Sequence, residues 1–280
     1  MIPRDEVEMA PHPFRVGSFG KIYHGTWLGS RVVVKRVKLE STKARGDFLR
    51  EAAIWKRLHH PHIVPLFGAC ISFGEKQTQP EGLFVCEEAE NGSLRDFLFN
   101  ETQVGRSPPI WRALRDAALG LRFMHQRGII HGDLKCNNIL VSKAGVAMLT
   151  DFGLSSAPAH EESIGAFQWK APELFEPECS APTFESDVYA FGMCVMEALR
   201  GGSPWGPLPD AAIRYALVKL KRTLAQGGYQ RSISTCIMPR PANVKTDQHW
   251  AFVKQLCAFE PSKRLKLNDA ITILERFAEV

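Results

Sequence analysis

Residues 129–151 read IIHGDLKCNNILVSKAGVAMLTD, and this stretch constrains the fold more than any other. Apolar runs stand on both sides of HGDLKCNN, so the chain enters and leaves a core while carrying an aspartate, a lysine and two asparagines between. An unpaired polar group buried there costs roughly 2–7 kcal/mol. These groups must therefore face one another, or a ligand, at the edge of a core. ILV and AMLTD read as two short strands of a hairpin, which returns Asp151 to the neighbourhood of Asp133 and Asn138.

The chain divides around this region. Before Gly92, KIYHGTW and RVVVKRVKL are rich in β-branched and aromatic residues and joined by LGS, the pattern of a β-hairpin. DFLREAAIWKRLHH puts Phe48, Ala52, Trp55 and Leu58 at helical spacing, with Glu51 beside that face. IVPLFGACISF and LFVCEEA read as further strands around the polar loop EKQTQPEG. After Gly92, WRALRDAALGLRFMHQRG, SDVYAFGMCVMEALRGG, HWAFVKQLCAF and NDAITILERFA read as helices, and QGGYQRSISTCIMPRPANV as a long loop. The expected class is α+β: a small β-rich lobe with one helix and a larger, mainly helical lobe. A chain of 280 residues is long enough for two lobes sharing a cleft.

Charge and composition exclude several classes. A net charge of +5 is small for the length, and the densest basic group, Lys219, Lys221 and Arg222, reads as a solvated helix face, so no nucleic-acid partner is expected. Seven cysteines without a CxxC pair fit neither a disulfide framework nor a zinc site and point to a reducing compartment. The start MIPRDEVEMA is charged where a signal peptide is apolar, and VYAFGMCVMEAL is too short to span a bilayer. No membrane contact or targeting is expected from this segment itself; a longer parent protein could supply either.

Each polar motif has an ordinary explanation when taken alone. VGSFG can be a plain glycine turn, although its glycines also let backbone N–H groups approach phosphate oxygens. Lys35, ending VVVK, can snorkel to water, yet Glu51 on the crossing helix is a partner able to hold its ammonium in a cleft. Asp133 and Asp151 can be turn formers. Asn138 and Asp151 together offer hard oxygen ligands for Mg²⁺, with Asp133 facing a substrate hydroxyl.

Taken jointly and in order, these elements resemble the eukaryotic protein kinases: the glycine-rich VGSFG, Lys35, Glu51, HGDLKCNN, DFG at 151–153 and APE at 171–173, then SDVYAFG around Asp187 and PSKRL around Arg264. The resemblance runs from residue 14 to residue 278. It divides the chain into an N-terminal extension at 1–13, a kinase N-lobe at 14–89 and a C-lobe at 90–280. Lys135, two positions after the aspartate, marks a serine/threonine type of catalytic loop, whereas HPHIVPLFG, EEAENGSLRDFL and WKAPE resemble the tyrosine-kinase-like branch.

The resemblance implies a serine/threonine protein kinase that moves the γ-phosphate of Mg²⁺-ATP to a protein hydroxyl. It implies Lys35 on the α- and β-phosphates with Glu51 as its brace, Asp151 and Asn138 as Mg²⁺ ligands, Asp133 as acceptor of the hydroxyl proton, and Lys135 at the γ-phosphate. Phe14, Ile22, Val33 and Leu140 are expected around the adenine. Val16, Gly17, Ser18 and Gly20 are expected over the phosphates, Cys86 deep in the pocket, and Glu87 to Ala89 at the hinge. Partners are then ATP and a protein carrying an acceptor serine or threonine, with regulatory domains outside this chain. The implied location is the cytoplasm, or the cytoplasmic side of a membrane in a longer receptor-like protein. The alternative is a pseudokinase, a nucleotide-binding or scaffolding module without transfer.

Three positions depart from the family pattern. Arg15 replaces the first glycine of the loop, Gly132 replaces the arginine before the catalytic aspartate, and Ala166 replaces a threonine in GAFQWKAPE. Between Asp151 and Glu173 the only hydroxyls are Ser155, Ser156 and Ser163, and Glu161 and Glu162 are already negative. With Gly132 there is no guanidinium for a phosphate to neutralise, so regulation is expected by means other than phosphorylation of this segment. His59, His60, His62 and His131 are expected to pack rather than to bind metal, and Trp55 and Phe152 to join the lobes.

Overall fold

The computed structural model describes residues 1–17, 20–73, 80–153, 167–175, 181–225, 238–244 and 246–279, with only the backbone at 220–225. Ser18, the activation-segment residues Ser155, Ser156, Glu161, Glu162, Ser163 and Ala166, and most of the expected long loop lie outside them.

The first sheet is antiparallel throughout. It comprises β1 (Val7–Met9), β2 (Arg15–Gly17), β3 (Gly20–Trp27), β4 (Ser30–Lys38), β5 (Leu66–Phe73) and β6 (Pro80–Cys86), in the order β1-β3-β4-β6-β5 with β2 also on β3. The hairpin between β3 and β4 turns on Leu28 and Gly29, both at positive φ (50° and 76°), with Trp27 opposite Ser30. Two such residues match the twist of the strands they connect. Residues 1–13 contribute β1, whose Val7 is buried opposite Trp27.

The valine run alternates as strand geometry requires. Val32 and Val34 are fully buried with Val7, Tyr23, Leu83 and Val85 on one face of the sheet. Val33 and Lys35 take the other face, toward helix α1 (Thr42–Trp55) and the cleft. The helix was expected over 47–60; it begins five residues earlier because the Ser41 hydroxyl accepts the Ala44 N–H at 3.0 Å and caps it. It stops at Trp55, and the chain bends toward Pro61, before which helical backbone is disfavoured.

The second lobe holds α2 (Leu94–Gln103), α3 (Ile110–His125), α4 (Phe184–Arg200), α5 (Asp210–Ala225), α6 (Asp247–Leu256) and α7 (Leu267–Ala278). The short hairpin β7 (Ile139–Val141) and β8 (Ala147–Leu149) lies where ILV and AMLTD were read. The fold is therefore the expected α+β, with a sheet-rich first lobe and a helical second one. Helix α2 was missing from the sequence reading, and α5 entered it only as the helix face of Lys219, Lys221 and Arg222. Helix α4 is buried on every side from Ser186 to Ala198, as befits the centre of a lobe, and ends at Gly201 in the left-handed region (φ 72°). Trp55 meets Phe84 at 5.6 Å and Phe152 at 5.5 Å, so one core runs from the sheet into the second lobe. Among the described residues no helix is long and apolar enough to cross a membrane.

Candidate active site

Lys35 projects from β4 on the face opposite Val34 and meets two carboxylates. Its Nζ stands 2.9 Å from Glu51 Oε1 on α1 and 2.7 Å from Asp151 Oδ1 after β8. All three side chains are largely withdrawn from solvent. Burial opposes the Lys35 charge, but Asp151 and Glu51 outweigh it and raise its pKa above the ordinary lysine value. Burial likewise acts to raise the Asp151 carboxyl, yet the Lys35 ammonium prevails and holds it below the usual aspartate range. Glu51 is raised, first by burial and further by Asp151, with Lys35 pulling the other way. Asp151 itself adopts φ 67°, a left-handed conformation uncommon for a residue with a Cβ.

The loop after α3 is held from behind by one carboxylate. Asp187, in the first turn of α4, accepts the N–H of His131 at 2.8 Å and of Gly132 at 2.9 Å, and meets His125 Nε2 at 2.9 Å. The His131 ring is wholly buried between the Asp133 N–H, 3.3 Å from Nδ1, and the Thr150 carbonyl, 3.0 Å from Nε2. Those contacts assign the proton to Nε2. His131 thus packs, as expected, and ties the loop to the strand leading into Asp151.

Asp133 is gripped from two sides. Lys135 Nζ donates to its Oδ2 at 2.7 Å, and Asn138 Nδ2 donates to the same oxygen at 2.9 Å and to the Asp133 carbonyl at 2.8 Å. The Thr150 N–H donates to the Asn138 carbonyl at 3.0 Å, joining this loop to Asp151. Lys135 and Asn138, two of the polar groups that crowd HGDLKCNN, therefore find their partner in Asp133.

Two supporting groups were not singled out from sequence. Glu197 of α4 is buried; its Oε2 accepts the Cys136 N–H at 3.1 Å and the Trp169 indole N–H at 2.9 Å. His125, at the end of α3, reaches Asp187. Both are polar residues on otherwise buried helix faces, which was the available signal. The matches at Arg264 and Glu173 form a two-pronged ion pair with both contacts at 2.6 Å. His60 stacks on Phe123, and His62 Nδ1 contacts the Ala147 carbonyl.

The remaining expected residues lie on or beside strands β2, β3, β4, β6 and β7. Ile22 pairs with Lys35 and with Arg15, and Val33 pairs with Cys86 across the sheet. The Cys86 thiol, buried and 3.6 Å from the Val33 carbonyl, is pushed up to about 12 by burial, which disfavours the thiolate. The Glu87 N–H donates to the Pro65 carbonyl at 3.0 Å, and the Ala89 carbonyl accepts the Gly92 N–H at 2.9 Å. Leu140 bridges to Ser93 at the start of α2. Phe14 is half exposed and stacks on His24 with ring centres 4.0 Å apart. Val16 is exposed and Gly17 opposes Gly20, whose φ of 139° and close approach to the Arg36 carbonyl leave no room for a Cβ.

The donor set of Asn138 and Asp151 fits Mg²⁺. Asn138 directs its amide nitrogen at Asp133, which turns the amide oxygen away, and Asp151 adds a carboxylate next to the Lys35 ammonium. One carboxylate and one amide oxygen are hard ligands of the kind Mg²⁺ takes together with phosphate oxygens.

A family model described as protein tyrosine and serine/threonine kinase matches residues 12–274. The chain is 37% identical over 220 residues to the serine/threonine-protein kinase CTR1 of Arabidopsis thaliana, covering 74% of this chain and 26% of that protein. It is 30% identical over 201 residues to the Arabidopsis serine/threonine-protein kinase STY46, covering 69% of this chain and 33% of that one. A third Arabidopsis relative, the L-type lectin-domain containing receptor kinase S.1, is 30% identical over 282 residues, 92% of this chain and 40% of its own length. The chain thus spans well under half of these relatives. It belongs to the protein tyrosine and serine/threonine kinase family, within its tyrosine-kinase-like branch.

Proposed function

We propose that the protein is a serine/threonine protein kinase that transfers the γ-phosphate of Mg²⁺-ATP to a protein hydroxyl. The observation that carries this reading is the Asp133 carboxylate, held by Lys135 and Asn138 in a loop bonded directly to the strand that presents Asp151. A carboxylate fixed in that way is poised to orient an acceptor hydroxyl and to receive its proton. Lys135, beside it, offsets negative charge on the transferring group. Lys35, braced by Glu51, presents its ammonium to the nucleotide phosphates. Asn138 and Asp151 would hold Mg²⁺, which would supply positive charge to offset that of the nucleotide phosphates. Phosphoryl transfer needs little covalent help from the protein, so positioning and electrostatics carry the rate.

The names of the relatives support serine or threonine as acceptor. Receptor kinases among them support further domains outside this chain and a place in the cytoplasm or on the cytoplasmic side of a membrane. The test is incorporation of labelled phosphate from ATP and Mg²⁺ into a generic basic protein substrate, with phosphoamino-acid analysis of the product. Phosphoserine or phosphothreonine in excess is expected, and predominant phosphotyrosine would overturn the acceptor assignment. Nucleotide binding without any transfer would show a binding module instead.

A further inference from the structure

Arg15 stands where the family pattern has the first glycine of the phosphate loop, and its guanidinium has a destination. Nη2 lies 3.1 Å from Oδ2 of Asp96, 81 residues away in sequence. The two ends of this contact belong to opposite walls of the nucleotide cleft. Arg15 is in β2, opposite Ile22, which is in turn opposite Lys35, so the arginine extends the strand surface that carries the cleft lysine. Asp96 sits in the first turn of α2, whose N-cap Ser93 is buried and bridged to Leu140 on the other wall.

Asp96 is also restrained before the arginine reaches it. The Ser93 hydroxyl donates to its Oδ2 at 2.6 Å and accepts its N–H at 3.2 Å. A negative charge in the first turn of a helix is further favoured by the exposed backbone N–H groups there. One partner is thus fixed at little further entropic cost, which separates this pair from ordinary surface pairs. A second ion pair lies nearer the hinge, between Glu88 and Arg31 at 3.1 Å, and Glu88 also meets His24 Nδ1 at 3.1 Å.

We propose that Arg15 is a positioning residue that clasps β2 to the start of α2 across the outer mouth of the nucleotide cleft, and that this clasp slows nucleotide release. The proposal rests on the kinase reading. A glycine at 15 offers no side chain for the contact, so the replacement exchanges backbone freedom in the loop for a tie between the walls. Both side chains are partly exposed, about two-fifths for Arg15 and half for Asp96, so the tie is weak and screened by salt.

The experiment is stopped-flow release of a fluorescent ADP analogue, with Mg²⁺, from the wild-type chain and from Arg15→Gly, Asp96→Asn, the double variant and Arg15→Lys. At low salt, Arg15→Gly and Asp96→Asn are each expected to speed release about twofold to fivefold, the scale of an exposed ion pair. The double variant should be no faster than either single one, Arg15→Lys should remain near wild type, and the differences should fade at about 0.5 M salt. Unchanged thermal midpoints would separate the effect from a general loss of stability. If Asp96→Asn disturbs the α2 cap enough to unfold the chain, the comparison of Arg15→Gly with Arg15→Lys decides alone. Equal release from wild type and Arg15→Gly overturns the clasp, as do additive effects in the double variant. Failure of the wild type to bind the nucleotide overturns both the clasp and the kinase reading.

Discussion

Asp187 Oδ1 accepts the N–H of Gly132 at 2.9 Å, and Gly132 makes that bond with φ at 79°. Glycine takes this left-handed conformation freely, whereas a residue with a Cβ loses roughly 1–2 kcal/mol in it. The sequence alone offered an electrostatic account of Gly132, the removal of an unpaired guanidinium. The backbone supplies a second reason for a glycine between His131 and Asp133.

Gly132→Ala separates the two, because it adds a Cβ without charge. It is expected to lower stability by about 1 kcal/mol in urea unfolding. Unchanged stability would show that the loop relaxes to another conformation and that the Asp187 bond does not fix it.

Replacing Lys35 by methionine removes more than a nucleotide contact, since Glu51 and Asp151 are left buried together without a counter-ion. Losing one member of a buried ionic group costs about 3–5 kcal/mol. Lys35→Met is therefore expected to abolish transfer and also to lower the unfolding midpoint, while Asp151→Asn abolishes transfer with a smaller loss because Lys35 keeps Glu51. Adding Glu51→Gln to Lys35→Met should restore part of the stability. Identical midpoints for wild type and Lys35→Met would show that the three groups are hydrated and independent.

The same triad sets a pH dependence. In the wild type the folded Asp151 titrates below its unfolded value of about 3.9. Its contribution is therefore present above that value and lost as pH falls through the folded one. Glu51 is shifted upward and acts in the opposite sense, its contribution fading as pH rises through its folded value. Without Lys35 its ammonium no longer offsets the burial that acts to raise both carboxyls, so their penalty is expected at neutral pH and is relieved in acid. The stability gap between wild type and Lys35→Met is expected to be widest at neutral pH and to narrow toward about pH 4. A gap of constant size across denaturation curves at both ends of that range would exclude the ionic origin.

The sequence made the cleft legible where chemistry demands particular residue types at fixed separations. Lys35, Glu51, Asp133, Asn138 and Asp151 come together through a strand, a crossing helix and a hairpin, all visible as periodicity. Less legible were groups whose partners are set only by tertiary packing. Glu197 reads as one polar residue in an apolar helix, and nothing local reveals that it faces Cys136 and Trp169. Helix α2 escaped notice because ten residues of mixed polarity give a weak stripe, although its Ser93 cap was there to be read. Arg15 appeared as a departure from a pattern, and its contact with Asp96 required the lobes to be in place.

Glu197 supplies a final expectation. Its Oε2 receives the Cys136 and Trp169 N–H groups, while Oε1 is buried with no hydrogen-bond partner among the described residues. Burial raises its pKa, and the bonds from Cys136 and Trp169 only partly counter this. A group whose folded value lies above the unfolded one contributes most at low pH and loses that contribution as pH rises through the folded value. At neutral pH the carboxylate therefore carries a desolvation cost that a glutamine avoids, since its amide oxygen can still accept both N–H groups. Glu197→Gln is expected to be more stable than wild type by about 1 kcal/mol at neutral pH, with the advantage gone near pH 4. Glu197→Ala should instead lose about 1–3 kcal/mol, because two donors are left without an acceptor, and its transfer rate should fall as the Asp133 loop loosens. Urea unfolding of the two variants at both pH values distinguishes the cases, and a glutamine variant less stable than wild type at neutral pH would show that the charge itself holds Cys136 and Trp169 in place.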